Sequence, residues 1–261
     1  MISAGTFALL ILNLALGFAV PVLLAWWLIK KYNAKLSTIL IGGATFIVFA
    51  LILEALVHQI VLKGPHGATI QGNTLYYALY GGLMAGLFEE TGRFLSMKYL
   101  MKKEPTTALP GIAYGVGHGG AEMMILFGLG MLSNLTMAVM INAGQTETIL
   151  STAPADAQEQ LRATLDQLKD LGAGTLLLGF WERITALILQ LSLSVLVWAA
   201  VRKGGKWLWL FPAAILLHAA IDGQAVILMK STGMAVLETL LFAESIAVAG
   251  IAYMVARKIS S

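Results

Sequence analysis

The sequence predicts an all-α protein, a polytopic bundle of transmembrane helices that crosses the membrane about seven times. Three observations support this class: 58% of the 261 residues are hydrophobic and only 12% are charged, and the mean hydropathy is +0.81. Soluble domains carry about 25% charged residues, so this chain is too apolar to be one. The balance predicts a multi-pass protein of the cell membrane with the lipid bilayer as its surroundings, and it excludes a nucleic-acid-binding domain.

Seven apolar stretches are long enough to cross the hydrocarbon core, which takes about 20 helical residues. The first stretch is longer than the core of a signal peptide and lacks a convincing cleavage site, so we expect it to be retained as a helix. The loops between most stretches are short. The stretches cover residues 6–28, 37–62, 75–99, 108–131, 173–201, 207–229 and 233–256.

The distribution of lysine and arginine predicts an amino terminus outside and a carboxyl terminus inside. Cytoplasmic loops carry an excess of these two residues. Eleven of them follow the first, third, fifth and seventh stretches, all on one side of the predicted membrane. The opposite side receives only Lys63, Arg162, Lys169 and Lys230.

The longest polar segment, residues 144–172, is then expected on the outer side. Leu161, Leu165 and Leu168 follow helical spacing within it and predict an amphipathic surface helix. No repeat or linker divides the chain, which predicts one integral membrane domain over residues 1–261. Cysteine is absent, so the chain has no thiol nucleophile and no disulfide.

Eight acidic residues fall inside the predicted spans. Each charged side chain near the bilayer centre costs about 2.5–3.5 kcal/mol on insertion scales, so these residues need partners or a wet cavity and are candidates for function. Two of them, Glu54 and Glu182, are expected nearer the outer surface and outside the main site. The full set is Glu54, Glu89, Glu90, Glu122, Glu182, Asp222, Glu238 and Glu244.

In the third span, the sequence FEETGR places two carboxylates within one turn of a guanidinium. Arg93 follows Glu89 by four residues and Glu90 by three, so one helical face can pair the cation with either acid. Two acids for one cation argue against a purely structural ion pair. The spacing leaves open which glutamate pairs with Arg93.

Two further spans each carry a histidine and an acid one turn apart. GVGHGGAE contains His118 and Glu122, and LHAAID contains His218 and Asp222. Both histidines and Glu89 lie about ten residues from the inner ends of their spans, or about 15 Å at 1.5 Å per residue. This common depth predicts that the three helices bring their polar groups together. Gln190 in the fifth span reaches the same depth, and glycines around His118 predict close helix packing: Gly111, Gly115, Gly117, Gly119 and Gly120.

The ordered set of motifs resembles the CPBP superfamily of intramembrane peptidases, which includes the type II CAAX prenyl endopeptidases and the PrsW proteases. FEETGR, GVGHGGAE, WERITALILQLSLSVLVW and HAAID are more closely similar to the YhfC family of membrane peptidases, over about residues 1–258. The two residues between the glutamate pair and Arg93 resemble the PrsW spacing. Tyr114 replaces the usual Phe before His118, and Asp222 stands where prenyl endopeptidases usually carry Asn, which puts an amide oxyanion donor at that position in doubt.

The resemblance implies an intramembrane endopeptidase that cleaves a membrane protein or a lipidated peptide. Peptide hydrolysis without Ser, Thr or Cys nucleophiles needs an activated water, a base and donors for the oxyanion. We assign Glu89 as the general base and Glu90 as the partner of Arg93, with the histidines as water orienters, oxyanion donors or metal ligands. The expected catalytic residues are Glu89, Glu90, Arg93, His118, His218 and Asp222.

Zinc is the alternative source of activated water. No HExxH motif is present, but His118, His218 and an acid such as Glu122 could form a three-ligand zinc site. We expect a metal-free mechanism in preference to zinc. Two other functions use the same residues: a proton-coupled transporter or channel with an acid–histidine relay, and a non-catalytic binding protein on a peptidase scaffold.

Overall fold

The structure is a computed structural model that describes residues 1–260, and it confirms the all-α class, with no strand in that range. Two π-helical segments interrupt the α-helices. Ile47–Glu54 joins the second α-helix to the third, and Met123–Gly128 joins the sixth to the seventh. A 3-10 turn, Gly205–Trp209, precedes the eleventh α-helix. The α-helices are α1 (Ala4–Tyr32), α2 (Leu36–Phe46), α3 (Ala55–Leu62), α4 (Gly67–Gly72), α5 (Thr74–Leu100), α6 (Leu109–Glu122), α7 (Leu129–Asn142), α8 (Thr146–Ser151), α9 (Gln158–Lys169), α10 (Ala173–Lys203), α11 (Leu210–Ser231) and α12 (Met234–Ser260).

Six helical stretches of the described chain are long and apolar enough to cross a membrane, so the protein is a multi-pass integral membrane protein. The remaining predicted span is α5, whose 27 residues are long enough but which carries two acids and an arginine near its middle. The predicted fourth span continues without a break to Asn142. The orientation of the termini stays a prediction. The six stretches are Ala4–Tyr32, Leu36–Leu62, Leu109–Asn142, Ala173–Lys203, Gly205–Ser231 and Met234–Ser260.

The chain forms two compact units, each with its own core. The first contains Met1–Val20 and Met123–Arg183. Its core includes Leu10, Leu165 and Leu168, and the last two lie on α9, which is the amphipathic helix that the leucine spacing predicted. The second unit contains Pro21–Glu122 and the chain from residue 184 onward, and its core is built around the fully buried Trp198. The interpretation of residues 1–261 as a single domain stays a prediction.

Glycines allow two helix pairs of the second unit to approach until their backbones touch. A Cβ atom on Gly117 of α6 would lie 1.8 Å from the carbonyl oxygen of Ile39 on α2. A Cβ atom on Gly82 of α5 would lie 2.2 Å from the carbonyl oxygen of Ala219 on α11. Such close packing is typical of small residues in membrane helices, and it confirms the expectation from the glycines around His118.

The other face of α6 packs against α10. Cβ atoms on Gly115 and Gly119 would meet the side chains of Ser194 and Gln190 at 3.1 Å and 2.9 Å. Just before α6 begins, the carbonyl oxygen of Thr107 accepts a hydrogen bond of 2.7 Å from the indole Nε1 of Trp198 on α10. Helix α6 therefore lies between α2 and α10, with its position fixed on both sides.

We predict that Gly117→Ala destabilises the protein, because the new methyl group would collide with backbone rather than with a movable side chain. Overpacking of this kind costs about 1–3 kcal/mol. Thermal unfolding in detergent should show a lower midpoint. Gly81→Ala on α5 is the matched control, since nothing lies within 4 Å of its Cβ position. Equal midpoints for the two variants would contradict the packing described for α6.

Candidate active site

The FEETGR motif forms one buried ion-pair cluster on α5. The guanidinium of Arg93 reaches both acids: Nη1 lies 2.9 Å from Oε1 of Glu90, and Nη2 donates a hydrogen bond of 3.2 Å to Oε2 of Glu89. Arg93 and Glu90 are fully buried, and Glu89 is 7% exposed. Residues three and four positions before Arg93 lie on the same helical face as Arg93, so its guanidinium contacts both carboxylates at once.

Helix α6 contributes His118 to this cluster. Its Nε2 atom lies 2.8 Å from Oε2 of Glu89, and the residue is fully buried. The ring is held between Phe46, whose edge meets it at a centroid distance of 5.3 Å, and Tyr114, which stacks at 6.1 Å. The second nitrogen, Nδ1, is buried and has no hydrogen-bond partner among residues 1–260. The described contacts thus fix the imidazole by one nitrogen and two aromatic rings.

Helix α11 contributes His218 and Asp222. The Nδ1 atom of His218 lies 2.8 Å from Oε1 of Glu90, and its Nε2 atom lies 3.4 Å from Oδ2 of Asp222. Both ring nitrogens of His218 therefore face a carboxylate oxygen. His218 is buried, whereas the side chain of Asp222 is 42% exposed, so Asp222 lies at the edge of the cluster.

Gln190 on α10 joins the cluster through three contacts. Its carboxamide oxygen accepts a hydrogen bond from Nη2 of Arg93. Its nitrogen donates to Oε2 of Glu89 at 3.1 Å and to Oε2 of Glu122 at 2.6 Å. The depth of Gln190 in its span predicts that it lies level with the histidines, but the sequence alone gives it no role.

All six residues expected to be catalytic belong to one connected network. Contacts run from His118 through Glu89, Arg93 and Glu90 to His218, and from there to Asp222. This convergence confirms the prediction that Glu89, His118 and His218, which lie at the same depth in their spans, come close together. The cluster is mostly buried, with its exposed edge at Asp222.

Glu54 is buried and pairs with His58 in the described contacts, where Nε2 of His58 lies 3.2 Å from its Oε1 atom. Its place outside the main site stays a prediction. Glu54 ends the π-helical segment Ile47–Glu54, and π-helical turns do not follow the α-helical spacing on which the depth estimate rests.

The described residues do not fit the predicted zinc site. Such a site needs three ligand atoms within about 2.0–2.2 Å of one point. No group of three or more His, Asp or Glu side chains in residues 1–260 has the geometry to hold a metal ion, so His118, His218 and Glu122 do not form a ligand set. The nearest donors are instead paired with one another around the guanidinium of Arg93, whose positive charge opposes a dication at that place.

Comparisons with known proteins agree with the motif resemblance. Residues 16–246 match the family described as YhfC intramembrane metalloprotease. The chain is similar to the uncharacterized membrane protein YhfC of Bacillus subtilis (strain 168), with 38% identity over 231 residues that cover 88% of each chain. No solved structure gives a significant match. The chain therefore belongs to the YhfC intramembrane metalloprotease family.

Proposed function

We propose that the protein is an intramembrane endopeptidase in which Glu89 activates water to hydrolyse a peptide bond of a membrane protein or a lipidated peptide. The family description supports intramembrane proteolysis. The observation that carries the mechanism is the convergence of Arg93, His118 and Gln190 on a single oxygen of Glu89. A carboxylate held in this way is oriented for proton transfer.

Glu89 is the better base of the two glutamates. All three of its contacts use Oε2, and none of them uses Oε1, which is therefore the atom assigned to take the proton. Glu90 is fully buried between Arg93 and His218 and is assigned to orient these two side chains. Glu89 is 7% exposed whereas Glu90 is fully buried, and this difference also favours Glu89 as the residue that meets water.

The proposed reaction needs no covalent intermediate with the protein. As the water oxygen bonds to the carbonyl carbon, its proton passes to Oε1 of Glu89 and the C=O electron pair moves to oxygen. We assign the N–H of His218 that faces Asp222 as an oxyanion donor, because 3.4 Å is its longer contact. The C–N bond then breaks, and the leaving amine receives the proton from Glu89.

We predict that Glu89→Gln lowers cleavage at least about 100-fold, the lower bound for loss of general base catalysis. His118→Ala should lower cleavage as well, because it removes one of the three groups that hold Oε2 of Glu89. Cleavage is measured in proteoliposomes with a panel of fluorescence-quenched single-span peptides. Glu244→Gln is the control, because this intramembrane acid bonds to Gln224 rather than to the cluster. Persistent cleavage by both variants, with wild-type melting temperatures, would overturn the assignment.

A second function is favoured by the connected row of titratable groups that ends at the exposed Asp222. Such a row could carry protons in a coupled transporter. The same proteoliposomes distinguish the two functions. Proton flux that depends on Glu89, without cleavage of any peptide, would favour transport.

Gln190 should matter for catalysis through Glu89. We predict that Gln190→Leu lowers kcat about 10–100-fold with little change in KM, because a misoriented base slows the chemical step while the bound peptide is unaffected. Ser192→Ala on the same helix is the control, since this hydroxyl bonds only to the carbonyl oxygen of Ile188 in the described contacts. A variant that changes KM alone would assign Gln190 to substrate binding instead.

The donor arrangement predicts hydrolysis that does not depend on zinc, in contrast to the family description. We expect purified active protein to contain well under one zinc per chain by elemental analysis, and to retain cleavage after treatment with a strong chelator. Re-addition of zinc should not raise the rate. Stoichiometric zinc, lost together with activity on chelation and restored with it, would contradict this prediction.

A further inference from the structure

We propose that a groove on the second unit, between the α2 helix with its π-helical continuation and α5, binds one acyl chain of an anionic phospholipid. The walls of this acyl groove come from residues 41–49 and 95–100, and its volume is about 390 Å³. The walls are almost entirely apolar, with Leu95 and Tyr99 exposed along the opening. The inference goes beyond the proposed function, because it concerns a ligand that is not hydrolysed.

The size of the acyl groove favours a single hydrocarbon chain over a transmembrane helix. The wall 41–49 is about 12 Å long at 1.5 Å per residue. A helix with side chains is about 10–12 Å across, so a segment of that length would fill about 900–1,400 Å³. All the empty space in the groove, including its open side, amounts to about 740 Å³ and is smaller than that. An extended acyl chain is narrower and has the required apolar surface.

Positive charge lies at one end of the acyl groove. The Nζ atoms of Lys98 and Lys102 lie 5.6 Å and 5.5 Å from the ring centroid of Tyr99, which is part of the wall. The neighbouring acid, Glu104, is already paired with Lys35 at 2.9 Å. Two ammonium groups beside an apolar groove complement a lipid with a hydrocarbon chain and a net negative headgroup. A zwitterionic lipid would satisfy only the apolar part.

The base of the acyl groove touches residues that support the candidate active site. Ser96 and Thr45 belong to its wall, and both are buried. The hydroxyl of Ser96 lies 2.9 Å from that of Tyr114, whose ring stacks on His118. A chain in the groove would therefore press on the layer directly behind His118. Bound lipid should raise the melting temperature of this unit for that reason.

The experiment compares purified protein in detergent with added phosphatidylglycerol or phosphatidylcholine. Native mass spectrometry counts retained lipids, and thermal unfolding measures stabilisation. We expect wild-type protein to retain one phosphatidylglycerol and to gain melting temperature from it over phosphatidylcholine. The double variant Lys98→Ala/Lys102→Ala should bind phosphatidylglycerol about 10–30-fold more weakly. The control Lys203→Ala/Lys206→Ala removes two other exposed lysines and should behave as wild type.

A second variant tests the apolar part of the acyl groove separately. Ala44→Trp would fill the groove from an exposed position without removing a cation, and it should abolish retention of the lipid. Wild-type retention in either test variant, or equal stabilisation by the two lipids, would overturn the proposal. Loss of peptide cleavage in Ala44→Trp with unchanged lipid retention would instead assign the groove to the peptide substrate. Neither lipid readout depends on proteolysis, so failure here is distinct from failure of the proposed function.

Discussion

The buried ion pairs of Arg93 with Glu89 and Glu90 are the interaction on which the rest of the cluster depends. Two carboxylates at adjacent positions of a membrane helix repel each other and lose their hydration, so they require a compensating cation. The guanidinium lies between them and contacts both. Each of the two histidines faces one of the glutamates. The cluster is therefore a set of mutually dependent charges rather than a collection of separate residues.

This electrostatic arrangement requires close helix packing. Glu89 and Glu90 lie on α5, but His118 comes from α6 and His218 from α11. Gly82 lets α5 approach α11 to backbone contact, and Gly117 does the same for α6 and α2. Because dispersion and hydrogen bonding rather than the hydrophobic effect hold membrane helices together, these short distances also contribute to packing energy. The glycines thus determine both the position of the histidines and the stability of the bundle.

The cluster was predictable from sequence because a regular α-helix rises by a constant distance per residue, so the position of a residue in its span gives its depth in the membrane. Counting residues placed Glu89, His118 and His218 at one level, and helical spacing placed Arg93 beside both glutamates. For Glu54 the same counting stays a prediction, because a π-helical segment interrupts the regular spacing there. Counting did not identify the three contacts of Gln190, because depth does not specify which way a side chain points around the helix axis. The division of the chain into two units depends on side-chain packing between distant segments, which has no local signal.

The stability of the cluster depends on Arg93 because its guanidinium neutralises the two glutamates. Removing one member of a buried ion pair costs about 3–5 kcal/mol, whereas removing all members together is often neutral. The most direct measurement is the unfolding midpoint of Arg93→Met compared with the triple variant Glu89→Gln/Glu90→Gln/Arg93→Met. We expect severe destabilisation of the single variant and substantial recovery in the triple variant, which should remain inactive. A single variant as stable as wild type, or a triple variant as unstable as the single one, would contradict it.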